Sequence, residues 1–446
     1  MRFDWLGRGL ISALIVGGLA ACGAPALPTT GQPGVPAAPP GGEPPLAQPP
    51  ATWRPKGEDL SHTLPPIRTT QNQVRLLVDG PEIFPAMERM IDGARQTIEV
   101  DYFVFSGRQG MRLAHLLANK ARSGVHVDVV MDPGKGFTPM FRKAADQVIA
   151  VMVAGGVHVD GFPVGRLPKR PAVNKVVDHN KVVVVDREVA MVGGMNIADV
   201  FDKNHDIMLQ VRGPAAADVG RMLAADRAGA LALKADPDVK AQPPMPVVAP
   251  PDLAPGFSGR DVPVRIVSTG INRRGYREIL LDQIRRAKRS VHSLMFQLVD
   301  DEVVQALIEA GKRGVDVRVI LDPGDHDELI PVIKKAPRGF PNLPVALQLQ
   351  KAGVGVKWYR LDPGQTEMHA KVGIFDGHTL LAGSTNWIPS AFLYNNEMSL
   401  MIEGGAAASR MEATFEADWI GKSEPVKDKG VTQDLLSWII EHIPYL

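Results

Sequence analysis

The chain has one cysteine among its 446 residues, few aromatics and almost no excess of either charge. A lone cysteine, Cys22, excludes intrachain disulfides and metal sites built on several thiolates. Lys and Arg number 50 against 49 Asp and Glu, a net charge of +1. No global field therefore draws the chain to nucleic acid, although a local basic groove is still compatible with such a partner. The apolar run Leu10 to Ala21 is too short to span a bilayer.

Apolar content of 45% and charged content of 22% are those of a globular protein, and the length suffices for two or three domains. Arg2 and Arg8 precede the short apolar run, which reads as a signal-peptide core. It ends in Leu19-Ala20-Ala21-Cys22, which resembles the bacterial lipoprotein signal, with Cys22 as the lipidated residue. An ordinary signal peptide or a short anchor is the alternative. Residues 1–22 are thus read as signal, and the Pro/Gly-rich stretch 23–66 as an extended tether that cannot bury a core.

The rest reads as a duplication. Ile98 to Gly134 aligns with Val291 to Gly324: an apolar strand, an amphipathic helix, a glycine (Gly124, Gly314), then a strand closed by Asp-Pro-Gly. In the second copy Val303, Ala306, Leu307 and Ala310 fall at helical spacing. Asp132 and Asp322 end the later strands, and turn formation accounts for them. One fixed long offset signals two fused copies of one domain, and strand–helix–strand order signals an α/β layer architecture. The expected units are 67–233 and 263–424, joined by a Pro-rich linker at 234–262. A helical tail at 425–446 would pack Leu435, Trp438 and Ile439 on the body.

Each copy carries H-x-K-x-x-x-x-D: His179, Lys181 and Asp186, then His369, Lys371 and Asp376, both ends offset by 190 (369 − 179, 376 − 186). In a strand, residues two apart share a face, so imidazole and ammonium stand together while Asp leaves that face or enters the turn. Asp376-Gly377 is a hairpin signal. Asn196 and Asn386 each follow their histidine by 17 residues, in Gly193-Gly194-Met195-Asn196 and Gly383-Ser384-Thr385-Asn386. Gly194 and Ser384 permit close approach to backbone, and an asparagine amide can donate to an oxyanion. Asp206 and Glu397 give each copy a carboxylate suited to orienting a histidine through Nδ1. A lone histidine in a valine-rich strand is by default a core residue. Two His-Lys pairs with matching asparagines and acids need a functional explanation.

Paired H-x-K-x-x-x-x-D motifs trailed by G-G/S-x-N resemble the phospholipase D superfamily over residues 72–422. The resemblance implies two duplicated domains, each a mixed β-sheet flanked by helices, packed about a pseudo-two-fold with one shared site. It implies that one histidine attacks phosphorus and the other protonates the leaving oxygen. Carried over, His179 is the nucleophile and His369 the acid, an order that identical motifs do not themselves fix. Lys181, Lys371, Asn196 and Asn386 would neutralise the phosphodiester; Asp206 and Glu397 would orient the imidazoles; Asp186 and Asp376 would hold the fold. No cofactor or metal is implied, since the lysines supply the charge.

The superfamily includes phospholipases, phosphatidyltransferases and nucleases, so the motifs fix the reaction and not the substrate. The export signal, the lipid anchor and the near-neutral charge favour a phospholipid substrate at the bacterial cell envelope. Hydrolysis of headgroup esters is the first expectation, phosphatidyl transfer to an alcohol the second and nuclease action the third. Residues 192–197 are similar to cardiolipin synthases. A catalytically silent binding module is disfavoured by intact motifs in both halves. With both motifs in one chain, a monomer is expected. The basic loop Arg166-Leu167-Pro168-Lys169-Arg170 with Lys175 reads as a solvated surface loop placed for a headgroup. The run Trp387-Ile388-Pro389 with Phe392, Leu393 and Tyr394 is either core or a lipid-facing edge.

Overall fold

The computed structural model describes residues 68–132, 139–162, 177–227, 231–232, 256–270, 273, 275–324 and 339–427. The signal with Cys22, the tether, the basic loop, most of the linker and the tail beyond 427 lie outside them. The first half supplies β1 (Arg68–Val78), α1 (Asp79–Asp92), β2 (Thr97–Tyr102), α2 (Gly107–Arg122), β3 (His126–Met131), α3 (Pro139–Ala154), β4 (His158–Gly161), β5 (Lys181–Val185), β6 (Val189–Gly193), β7 (Ile207–Arg212), α4 (Pro214–Arg227) and β8 (Leu231–Ala232). The second supplies β9 (Ser258–Thr269), α5 (Tyr276–Arg286), β10 (Ser290–Met295), α6 (Asp301–Lys312), β11 (Asp316–Leu321), α7 (Leu343–Lys351), β12 (Gly355–Tyr359), β13 (Lys371–Phe375), β14 (Thr379–Gly383), α8 (Pro389–Leu393), β15 (Glu397–Glu403), α9 (Gly405–Gly421) and β16 (Ser423–Pro425).

The described strands form one mixed sheet in the order β16-β12-β11-β10-β13-β14-β15-β9-β1-β7-β6-β5-β2-β3-β4-β8. Exchanging each strand for its counterpart in the other copy returns the same order reversed, the signature of an internal two-fold. At the middle, β1 and β9 pair antiparallel, Arg68 opposite Arg265 and Thr69 opposite Val264, as two equivalent edges must across a dyad. Helices α2 and α6 end before Gly124 and Gly314, at φ 93° and 86°, a left-handed turn that a side chain disfavours.

Three apolar cores explain why the motif strands lack polar alternation. On one face of the first half, Val183 and Val185 pack with Ile98, Val129 and the α2 residues Leu113 and Leu117. On the second half's matching face, Val291 and Val319 pack with Val303 and Leu307. The opposite faces pack against each other: Val182, Val184, Val192 and Leu209 share a core with Val372, Ile374, Ala382 and Leu400. The halves are thus joined edge to edge and face to face, and β5 and β13 are buried on both sides.

One expectation changes. Strand β9 begins at Ser258, inside the stretch read as linker, because β1 offers an unpaired edge that it completes. Of the aromatic run read as core or lipid-facing edge, Trp387 and Phe392 are core at 0% and 2% exposure, whereas Leu393 and Tyr394 are half-buried.

Asp186 and Asp376 lie in the turns after β5 and β13, at φ 52° and 54°. Asp186 accepts from the backbone N–H groups of Arg95, Gln96 and Thr97 at 2.9, 2.7 and 2.9 Å. Asp376 does the same for Lys288, Arg289 and Ser290. These bonds hold both carboxyls below their usual range, against partial burial. A depressed carboxyl stabilises the fold above its unfolded pKa, and that contribution is lost as pH falls through the folded value. Asp186→Ala leaves donors at the start of β2 without a partner and is expected to cost about 1–3 kcal/mol at neutral pH, read by urea denaturation. The deficit relative to the parent chain should shrink on acidification.

Candidate active site

Each motif histidine stands just before its strand, whose first residue is the lysine. This differs from the expected placement within the strand and has a physical cause: the histidine backbone pairs across the dyad. His179 N–H donates to Asn396 O and His369 N–H to His205 O, both at 2.8 Å. The residues before the histidines are also held. Asp132 accepts from Asp178 N–H at 3.1 Å and Asp322 from Met368 N–H at 2.8 Å. These aspartates therefore anchor the motif segments, beyond the turn-forming role read from sequence.

The carboxylates cross. His179 Nδ1 lies 2.8 Å from Glu397 Oε2, and His369 Nδ1 lies 2.8 Å from Asp206 Oδ2. Each half's acid thus holds the other half's imidazole through Nδ1, which makes Nε2 the nitrogen of each ring suited to the chemistry.

Lys181 and Lys371 are 0% and 1% exposed. Each Nζ donates back to the carbonyl of its own histidine and stands over a phenylalanine ring, Phe103 at 4.9 Å and Phe296 at 4.7 Å. The same rings contact His179 and His369, with centroids 4.9 and 4.7 Å apart. Sequence reading missed Phe103 and Phe296. Their signal was an aromatic residue just beyond the same strand in both copies.

Burial lowers Lys181 to about 7 and Lys371 to about 8, although the carboxylates pull both upward. Burial, helped by Lys181 and Lys371, lowers His179 to about 4 against the pull of Glu397. Burial also raises Asp206 to about 7, with both lysines opposing. That each lysine's field reaches groups of the opposite half makes this one site. An incoming phosphodiester anion would restore the lysines' charge and give them a counterion.

Asn196 and Asn386 are 3% and 5% exposed, and neither amide oxygen meets a donor among the described residues. Tyr102 Oη donates to Met195 O at 3.0 Å, fixing the first of these loops to β2. The small residues before them are not equivalent. A Cβ on Gly194 would sit 2.2 Å from Asp206 Oδ1, so only glycine lets that acid reach His369. At the matching place Ser384 Oγ donates to Glu397 Oε2 at 2.6 Å.

Among the described residues two groups bring histidine and carboxylate atoms close enough to share a metal ion: His126, Asp128 and His158, and His292, Glu412 and Glu416. Arg227 pairs with Asp128 in the first, and Arg318 bonds His292 and Glu416 in the second. A guanidinium already occupies the lone pairs that a cation would need, so both are ion-pair clusters.

Comparison with known proteins matches both halves of the chain to one family. The family described as "Cardiolipin synthase, PLD-like domain" matches residues 87–222 and 280–419. Cardiolipin synthase A of Pseudomonas aeruginosa is 30% identical over 361 residues, covering 78% of this chain and 67% of its own. Cardiolipin synthase A of Klebsiella pneumoniae is 27% identical over 368 residues, covering 79% and 70%. In fold, the chain is similar to the crystal structure of phosphatidylserine synthase from Haemophilus influenzae, with TM-score 0.58 and 14% identity over 83% of this chain and 93% of that one.

A site with these charges should lose activity in alkali. As pH rises through about 7 to 8, Lys181 and Lys371 lose their protons, and kcat/KM on a phosphodiester should fall. His179 stays neutral down to about 4, so it contributes no acid limb above that pH. The limbs report the coupled group and not single residues. A rate still climbing through pH 9 would contradict the assignment.

Proposed function

We propose that this chain, which belongs to the cardiolipin synthase, PLD-like domain family, transfers a phosphatidyl group from a phospholipid to an alcohol through a phosphohistidine. The crossed His–carboxylate pairs beside two buried lysines carry this reading. The names of its relatives favour transfer over the hydrolysis expected first from sequence. The acceptor proposed is the glycerol hydroxyl of a second phosphatidylglycerol, so that the product is cardiolipin and the leaving group glycerol.

The mechanism follows from the atoms. Neutral His179, with Nδ1–H donating to Glu397, presents the Nε2 lone pair to phosphorus. As the N–P bond forms, the bond from phosphorus to the headgroup oxygen breaks, and His369 gives that oxygen a proton from Nε2. Asp206 holds the imidazolium before this step and the neutral ring after it. An acceptor hydroxyl then loses its proton to His369 and attacks phosphorus, releasing His179. Lys181 and Lys371, with the amides of Asn196 and Asn386, stabilise the charge on the non-bridging oxygens throughout. Water in place of the alcohol gives hydrolysis by the same steps.

Leu19-Ala20-Ala21-Cys22 supports a place on the outer side of a bacterial membrane, with Cys22 lipidated. Among the described residues no helix is long and apolar enough to cross a membrane.

The test is to incubate the chain with phosphatidylglycerol vesicles, with and without added ethanol, and resolve the lipid products. Cardiolipin with stoichiometric glycerol is expected, and ethanol should divert part of it to phosphatidylethanol. His179→Asn and His369→Asn should each lower the rate by at least ~10²-fold. Phosphatidic acid as the sole product would return the reading to hydrolysis. Plasmid cleavage faster than any lipid turnover would reject a lipid substrate.

A further inference from the structure

We infer that Asp101 and Asp178 hold one proton between them and thereby keep the His179 segment in register with Glu397. Both carboxyls are buried, at 1% and 0% exposure, and the mechanism above uses neither. Asn180 Nδ2 donates to Asp101 Oδ2 at 2.9 Å, and Asn396 Nδ2 donates to Asp178 Oδ1 at 2.9 Å. The Asn396 amide cannot be reversed, because its Oδ1 accepts from Arg273 Nη2 at 2.7 Å.

This leaves Asp101 Oδ1 and Asp178 Oδ2, which find no donor among the described residues. Asp178 stands two residues before Asn180, whose amide holds Asp101, and each carboxyl acts on the other as a close neighbour. Ionised carboxylates carry no donor, so a bond between them requires a proton. One proton satisfies both orphaned oxygens. The surrounding charges agree. Arg273 is paired with Asp226, and Asp132 faces the backbone of Asp178 from the end of β3. Lys181 also feels Asp178, but Glu397, Lys371 and Asp206 act on it more strongly. No uncommitted cation among these neighbours offsets a second negative charge. Burial raises Asp101 to about 6 although Asp178, Asn180 and Arg273 pull it down, and burial with the charge of Asp101 raises Asp178 well above its usual range.

The link to the site is short. Asn396 N–H donates to Val177 O at 2.9 Å and His179 N–H donates to Asn396 O at 2.8 Å. The Asp178–Asn396 side-chain bond lies across this same bridge. Asn396 precedes Glu397, the acid that holds His179. Two adjacent negative charges at 101 and 178 would push on the strand that carries the nucleophile.

The other half has no such device. Asp101 faces Val182 in the pairing of β2 with β5, and Leu294 faces Val372 in the pairing of β10 with β13. Asp178 precedes His179 as Met368 precedes His369. Both counterparts are apolar, so the proton-holding pair serves the His179 half-site alone. Asp101 and Asp178 are positioning residues.

The test has two arms on the full chain. Infrared spectra with isotope-labelled aspartate should show a protonated-carboxyl band at neutral pH that Asp101→Asn and Asp178→Asn each remove, because the introduced amide donates where the proton did. The kinetic arm rests on the phosphatidyl-transfer reading, with phosphatidylglycerol vesicles as probe. Asp178→Ala should lower kcat by ~10²-fold with KM nearly unchanged, the scale of a misplaced reacting group, and Asp178→Asn should recover about tenfold of that. A band that survives both Asn variants would overturn the proposal even if Asp178→Ala fails to fold. Equal loss of kcat in the Ala and Asn variants would overturn it as well.

Discussion

The structure depends on one exchange: each imidazole is held by a carboxylate from the opposite half. His179 leans on Glu397 and His369 on Asp206, both at 2.8 Å. Neither half carries a complete oriented histidine by itself. The β1–β9 junction and the shared core of Val182, Val184, Val372 and Ile374 therefore have a chemical role. They bring two incomplete half-sites to hydrogen-bond distance. A duplicated fold whose halves merely touched would keep its hydrophobic cores and lose this site.

The same burial that builds the site makes it incomplete without an anion. Two buried lysines stand well below their solution basicity, each resting on a phenylalanine face and a backbone carbonyl. A phosphodiester supplies the missing negative charge, so binding and activation are one electrostatic event. The site is symmetric in outline and asymmetric in support. Glycine admits Asp206 on one side, whereas a serine hydroxyl steadies Glu397 on the other. Beneath His179 alone lies the buried carboxyl pair. Such differences allow two like histidines to take unlike roles.

Much of this was legible in the residues. The 190-residue offset announced the duplication. The motif residues and asparagines stand out because repetition at one fixed spacing is improbable without shared function, and the acids at 206 and 397, offset by 191 (397 − 206), follow them in both copies. Asp186 and Asp376 read as fold-holding, and backbone N–H groups before and at the start of β2 and β10 donate to them. What could not be read was partnership across the dyad. Nothing in a linear sequence says that Glu397 belongs to His179, since its nearer histidine in the chain is His369. Phe103 and Phe296 escaped because an aromatic at a strand end is ordinarily core. The linker was drawn too long because a strand completing another's edge has no periodicity of its own to betray it.

The most direct test of the central claim reads the histidine rings themselves. Nitrogen and proton resonances of labelled histidine in the full chain would be followed in Glu397→Gln and Asp206→Asn. The crossed arrangement predicts that Glu397→Gln shifts the Nδ1–H resonance of His179 far more than that of His369, and that Asp206→Asn does the reverse. If each substitution instead acts on the histidine of its own half, the two half-sites do not exchange their acids and the account fails.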